Sequence, residues 1–185
     1  MTPIRTERLR LRPLALSDAR LLARLLRDDA EAVRMTERLP EPCTEPAVRD
    51  WIRCHRGPGE HAFAIETLGD GEFVGCISFA GTGEEAGLGY LVGRPFRNRG
   101  YATEAGRAVL DHARGLGIRA VVAEAFPENP ASARVLVKLG FTADGETERD
   151  LPRRGGRRRL LRFVRRFAYS GSGPKEPVRN FENGA

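Results

Sequence analysis

No stretch of this 185-residue chain stays apolar for the roughly 20 residues that a helix needs to cross a bilayer. The opening Met1-Thr2-Pro3-Ile4-Arg5 lacks the apolar segment of a secretory signal. A cytoplasmic protein with no membrane partner is therefore expected. Cysteine is scarce. Cys43, Cys54 and Cys76 are odd in number, widely spaced and form no Cys-x-x-Cys pair, which points to reduced thiols and not to a disulfide frame. His55, His61 and His112 are scattered too, so no metal site is expected. The sequence contains no Gly-x-x-x-x-Gly-Lys-Ser/Thr loop, which excludes a P-loop. Gly87-Leu88-Gly89 lacks the spacing of a dinucleotide fingerprint, and Arg94-Pro95 follows where its helix should start. No internal repeat is visible.

The composition is that of an ordinary globular domain, 41% hydrophobic and 30% charged. The length suits one domain with a real core. The expected domain spans residues 1–169, and residues 170–185, polar and without periodicity, read as a disordered tail. Net charge is +6 and the pI near 9.9, which suits either nucleic acid or an anionic cofactor. Nine arginines lie between Arg149 and Arg166.

Arg8 to Leu14 alternates, with Leu9 and Leu11 on one face, as in a half-buried strand. Ser17 is placed to cap a helix carrying Leu21, Leu22, Leu25 and Leu26. Thr44 is placed to cap a second, with Val48, Trp51, Ile52 and His55 in one stripe. His61 to Thr67 and Phe73 to Phe79 flank a turn containing Asp70-Gly71, which predicts a hairpin. Gly81-Thr82-Gly83 makes the next turn. Along the strand Glu85 to Val92, Leu88, Tyr90 and Val92 share one face, while Glu85, Gly87 and Gly89 share the other. The bare glycine face leaves room for something to lie against the backbone. A helix with Ala102, Ala105, Ala108, Val109 and Ala113 follows, then the apolar strand Ala120 to Ala125. Asn129 and Pro130 open another helix, Gly140 ends it, and strands from Phe141 and from Arg157 to about Tyr169 close the chain. The order βααβββαβαββ predicts an α/β (α+β) domain: a mixed, mostly antiparallel sheet flanked by about four helices, with one parallel pair around Glu85 to Ala125.

The chemistry concentrates in Arg97-Asn98-Arg99-Gly100-Tyr101-Ala102-Thr103, between an apolar strand and a helix. Unpaired N–H groups and the dipole at a helix start attract a phosphate. Gly100 tolerates φ > 0, and Arg97 and Arg99 supply guanidinium donors that suit phosphate geometry. This loop resembles the Arg/Gln-x-x-Gly-x-Gly/Ala loop of the GNAT acyltransferase superfamily. A second segment, Asn129-Pro130-Ala131-Ser132-Ala133-Arg134-Val135-Leu136-Val137-Lys138-Leu139-Gly140-Phe141, is similar to the branch of ribosomal-protein N-terminal acetyltransferases. So is the opening Thr6-Glu7-Arg8-Leu9-Arg10-Leu11-Arg12-Pro13.

The resemblance implies an acetyl-CoA-dependent N-acetyltransferase with a GNAT-like fold. In it, Arg97, Asn98, Arg99, Gly100, Tyr101, Ala102 and Thr103 hold the pyrophosphate. Leu91 and Val92 pair backbone groups with the pantetheine and aim an N–H at the thioester oxygen, and Asn129 hydrogen-bonds the pantetheine or serves only as a cap. Ser132 matches the branch's proton donor near the cofactor sulfur. The tyrosine that the wider superfamily often uses is replaced by Leu136. The glutamate often found two residues before Gly-Tyr is replaced by Gly87, which leaves Glu85 as the candidate base. The region from Asp28 to Glu60 would shape the acceptor pocket, for a peptide N-terminus or a small amine, in a monomer or homodimer. Two alternatives stay open: a catalytically silent acyl-CoA-binding regulator, and an RNA-binding protein using the hairpin Arg153 to Arg159.

Overall fold

The computed structural model describes residues 2–81 and 83–168. Thr82 of the expected Gly-Thr-Gly turn and the whole of the expected tail lie outside these residues. Among the described residues eight strands form one sheet: β1 (Ile4–Arg5), β2 (Leu9–Pro13), β3 (Glu60–Thr67), β4 (Phe73–Ala80), β5 (Glu85–Val92), β6 (Ala120–Ala125), β7 (Thr142–Leu151) and β8 (Gly156–Arg166). Five α-helices of the described residues flank it: α1 (Ala19–Leu26), α2 (Ala30–Arg34), α3 (Glu45–Cys54), α4 (Tyr101–Gly115) and α5 (Pro130–Lys138). The spatial order is β1-β2-β3-β4-β5-β6-β8-β7. Every pair is antiparallel except β5 with β6. The parallel pair sits where the strand–loop–helix–strand pattern puts it, because α4 is the crossover that a parallel pair requires.

The alternation of β3, β4 and β5 divides the core between the two faces of the sheet. Phe63, Ile77, Phe79 and Leu88 pack with Val109, Leu110 and Leu136 under α4 and α5. Ala64, Cys76 and Leu91 pack with Leu22, Leu26, Val48 and Ile52 under α1 and α3. Burial pushes the Cys76 thiol up to about 12 and that of Cys43 to about 11, so neither is a ready thiolate.

Two elements were not legible in the sequence: the two-residue β1 and the five-residue α2. Both are too short to show a period. Ser17 is also not the cap expected. A 3-10 turn over Leu16–Asp18 leads into α1, and Asp18 accepts from the Ala15 N–H at 2.8 Å. Thr44 and Asn129 do cap, accepting from Ala47 and Ser132 at 3.4 and 3.1 Å.

Arg12 locks the helix entry to the sheet. Its guanidinium grips both Asp18 oxygens at 2.7 Å, and its Nε donates to Glu66 at 2.8 Å. Both acids are buried, at 3% and 8% exposure, and an ion pair broken at a buried site leaves an uncompensated charge. Arg12→Ala is therefore expected to destabilise by about 3 kcal/mol. Removing Arg49 from its exposed pair with Glu45 should cost under about 0.5 kcal/mol. Denaturant midpoints of the two variants check this, and equal shifts would show that Arg12 is an ordinary surface charge.

Candidate active site

The site begins where two strands part. β5 and β6 pair only from Glu85–Gly87 against Ala120–Val122. Beyond that, β6 stays with β8 as far as Ala125↔Leu161, and β5 stays with β4 as far as Val92↔Gly75. Gly75 permits this tight pairing, since a Cβ there would lie 2.1 Å from the Leu91 carbonyl oxygen. The Gly93 N–H donates to Val74 O at 2.9 Å. By the alternation of an antiparallel ladder, Gly89 and Leu91 then bond toward β4. Tyr90 and Val92 turn their N–H groups into the gap. A cleft of about 950 Å³ runs through it, lined by β4, β5, β6, the loop before α4 and the start of α5. Its glycine floor is bare, because a Cβ at Gly87 or Gly89 would meet only Ala80 O or Ser78 Oγ, each at 3.8 Å.

At one end of the cleft, Asn98 and Gly100 take left-handed conformations, with φ 62° and 82°. Gly100 is the N-cap of α4 and, having no side chain, satisfies none of the helix's first N–H groups. The Tyr101, Ala102 and Thr103 N–H groups have no carbonyl one turn earlier in the helix to bond. Glu104 N–H is the first to bond back, to Gly100 O at 3.0 Å. Asn98, Gly100, Tyr101, Ala102 and Thr103 all line the cleft. The guanidiniums of the two arginines expected at the phosphate lie in different surroundings. Arg97 lines the cleft, but its guanidinium ion-pairs with Asp29, which is 6% exposed, and donates to Val92 O at 3.2 Å. Arg99 does not line the cleft and lies over the Phe96 ring at 5.9 Å. Backbone groups dominate the inner surface of the loop.

The loop is braced from β2. Arg8 donates to Arg99 O at 3.0 Å and to Glu104 Oε2 at 2.8 Å, and its guanidinium covers the Tyr101 ring at 4.9 Å. Glu104 also accepts from Thr6 Oγ1 at 2.6 Å and from the Arg8 N–H at 2.8 Å. Burial pushes the Glu104 carboxyl up, but the Thr6 and Arg8 hydrogen bonds outweigh it and hold the group below its usual range. Sequence reading missed Arg8, Glu104 and Asp29 as supports, since nothing local signals a partner 96 or 68 residues away.

At the other end, Ser132 and Asn129 line the cleft beside Tyr90. The Tyr90 hydroxyl lies 2.8 Å from Ser132 Oγ and 3.1 Å from Ser132 O. Burial pushes it up to about 12, against a smaller lowering by the Ser132 bond. Leu136 is fully buried, so its place in the helix belongs to the core. Glu85 is exposed at the outer start of β5. It lines the same cleft as Ser132, but five residues at about 3.3 Å each put it roughly 16 Å along the strand from Tyr90, so Glu85 and Ser132 stand at different ends of it. The cleft does hold Glu124, which Thr147 Oγ1 and Arg149 Nε engage at 2.9 and 2.8 Å.

The chain is similar to known proteins in sequence and in fold. The sequence model of the "Acetyltransferase (GNAT) domain" matches residues 8–142. The chain belongs to the GNAT acetyltransferase family. The "Probable N-acetyltransferase YjcK" of Bacillus subtilis is 34% identical over 91 residues, covering 46% of this chain and 50% of YjcK. The chain thus spans about half the length of that curated relative. The "Uncharacterized N-acetyltransferase p20" of Bacillus licheniformis is 30% identical over 153 residues, covering 78% of this chain and 85% of p20. Among solved structures, RimL, described as a ribosomal L7/L12 alpha-N-protein acetyltransferase in complex with coenzyme A, superposes with TM-score 0.77. The match covers 89% of this chain and 98% of RimL at 21% identity, which establishes a shared fold. The mixed, mostly antiparallel GNAT sheet is the one expected from the sequence.

The brace on the GNAT loop makes a pH prediction. A carboxyl held low in the folded state contributes stability that is present above its unfolded pKa of about 4.3 and lost as pH falls through the folded value. Glu104→Gln should lower Tm at pH 7. The gap from wild type should close as pH drops below about 4. A gap that stays constant down to pH 2 would mean that the charge of Glu104 contributes nothing to the brace.

Proposed function

We propose that this protein moves an acetyl group from acetyl-CoA to a primary amine by direct transfer in a ternary complex. The observation that carries the reading is the parted strand β5 facing a helix start with unbonded N–H groups, both on one cleft. The cleft suits coenzyme A by its own chemistry. The Tyr101, Ala102 and Thr103 N–H groups present fixed dipoles to a pyrophosphate. The Tyr90 backbone groups and the Val92 N–H offer strand-like pairing to the amides of a pantetheine arm, the Val92 carbonyl being held by Arg97. Tyr90 supports this reading by turning its backbone to the gap, while that of Leu91, the residue expected beside Val92, faces β4. Asn98, Gly100 and Asn129 complete the lining, and Arg97 serves by holding the loop to Asp29.

Acetyl-CoA supplies a thioester carbonyl whose oxygen gains charge as the amine adds. The Val92 N–H, free of any strand partner, is directed to stabilise that charge. Ser132 supports the leaving sulfur. The acceptor must arrive neutral at nitrogen. The floor at Gly87 carries no carboxylate, Glu85 stands at the outer start of β5, and Glu124 is already engaged by Thr147 and Arg149, so an acceptor that is partly neutral by itself fits best. An α-amine with pKa about 7.8 is neutral far more often at pH 7 than a lysine amine with pKa about 10.4. The acceptor class is therefore an α-amine or another weakly basic amine, entering from the α1–α3 side.

The arginine-rich hairpin favours this reading over RNA binding. Arg154 is buried and donates to Thr36 O and Leu39 O at 2.7 and 2.6 Å. Arg157, Arg158 and Arg159 pair with Glu148, Glu128 and Glu146 at 2.7, 2.9 and 3.3 Å. Paired charges make a weak phosphate footprint.

Calorimetric titration should show acetyl-CoA binding to wild type and a loss of at least about 100-fold in Gly100→Glu, which places a strained, anionic side chain at the helix start. Wild type that fails to bind would sink the acetyltransferase reading. Binding without turnover on any amine would favour a silent regulator. Peptides with a free α-amine should be acetylated about 100-fold or more faster than α-blocked peptides with one lysine, in line with a neutral-fraction ratio of roughly 400. Equal rates would refute the acceptor class.

A further inference from the structure

We infer that Tyr90 is a positioning residue that turns the Ser132 hydroxyl toward the leaving sulfur, taking from the strand the place of the tyrosine hydroxyl that α5 lacks at Leu136. The inference rests on the acetyl-CoA reading above. Its basis is the contact between Tyr90 and Ser132. One phenol hydroxyl sits within reach of two acceptors on one residue, Ser132 Oγ at 2.8 Å and Ser132 O at 3.1 Å. A hydroxyl carries one proton and two lone pairs, so the pair has two arrangements. When Tyr90 donates to the Ser132 carbonyl, the serine proton points back at the tyrosine oxygen. When Tyr90 donates to Ser132 Oγ, the serine proton is freed toward the cleft. Concerted rotation of the two hydroxyls interconverts them. Charge growing on sulfur favours the second.

The surroundings support a hydrogen-bonding role and not a proton transfer. Tyr90 is partly buried, on the core-facing side of β5, and its phenol stays protonated across the physiological range. Ser132 is fixed from its other side, its own N–H donating to Asn129 Oδ1 at 3.1 Å. The Tyr90–Ser132 bond also spans the gap between β5 and the helix that follows β6, so the same contact that sets the hydroxyl sets the width of the cleft. In the reaction the carbon–sulfur bond breaks with its electron pair kept on sulfur, the carbon–nitrogen bond forms, and the amine proton goes to solvent. The serine hydroxyl stabilises the resulting thiolate while keeping its own proton.

The test uses the product and needs no acceptor. Coenzyme A is bound to wild type, Tyr90→Phe and Ser132→Ala, and its thiol is titrated by thiolate absorbance. A hydrogen bond to the charged form favours it, so the bound thiol in wild type should titrate about one pKa unit below free coenzyme A. Both variants should return it to the free value while binding coenzyme A within about threefold of wild type. An unshifted thiol in wild type, or a shift kept in Tyr90→Phe, would overturn the inference and leave Tyr90 as a strut across the cleft, with the acetyltransferase reading intact. Should Tyr90→Phe lose coenzyme A, Ser132→Ala decides, and a retained shift there overturns the inference. Absence of coenzyme A binding in wild type would refute the acetyltransferase reading and this inference together.

Discussion

Everything at the cleft depends on three residues of parallel pairing followed by a parting. Glu85–Gly87 hold β5 against β6, and then each strand keeps only its antiparallel partner. A parted strand leaves polar backbone groups unpaired on its inner edge, and such groups are costly unless water or a ligand meets them. The parting is built from both sides. Gly75 lets β4 lie tight against Leu91. The β6–β8 ladder continues to Ala125 and draws β6 away.

Around that opening the protein places rigid ties, all between residues remote in sequence. Arg97 and Asp29 join the phosphate-type loop to the α1–α3 face. Arg8, Thr6 and Glu104 join it to β2. Tyr90 and Ser132 bridge the walls of the cleft. Arg154 fixes the segment from Thr36 to Glu41 against the β7–β8 turn. Each is a charge-assisted or hydroxyl bond between separate elements, and such bonds hold geometry well when partly screened from water. The outcome is a loop whose backbone is offered outward because its side chains are occupied elsewhere.

That division explains which parts of the site were legible. Gly100 announces a left-handed turn at a helix start because no side chain tolerates it easily, and the structure has that turn. Asn129 before Pro130 announces a helix cap for the same local reason. The arginines Arg97 and Arg99 announce only charge. Where their guanidiniums go depends on Asp29 and Phe96, which no spacing rule connects to them. Tyr90 was visible as one of three residues on the apolar face of its strand. Its hydroxyl was the signal that this face was not purely core, and only the position of α5 shows where the hydroxyl lands. The nine arginines of the last hairpin read as a basic patch until the folded sheet sets acids opposite most of them.

The sequence by itself determined the periodicities, the turns and the strand–loop–helix unit with its glycines, and through them the GNAT fold, because those signals act over a few neighbouring residues. The tertiary structure alone decided which backbone edge lies open, which arginines are free and which hydroxyl meets Ser132. Those choices are settled by contacts between residues tens of positions apart, brought together only when strands β5 and β6 pair and then part.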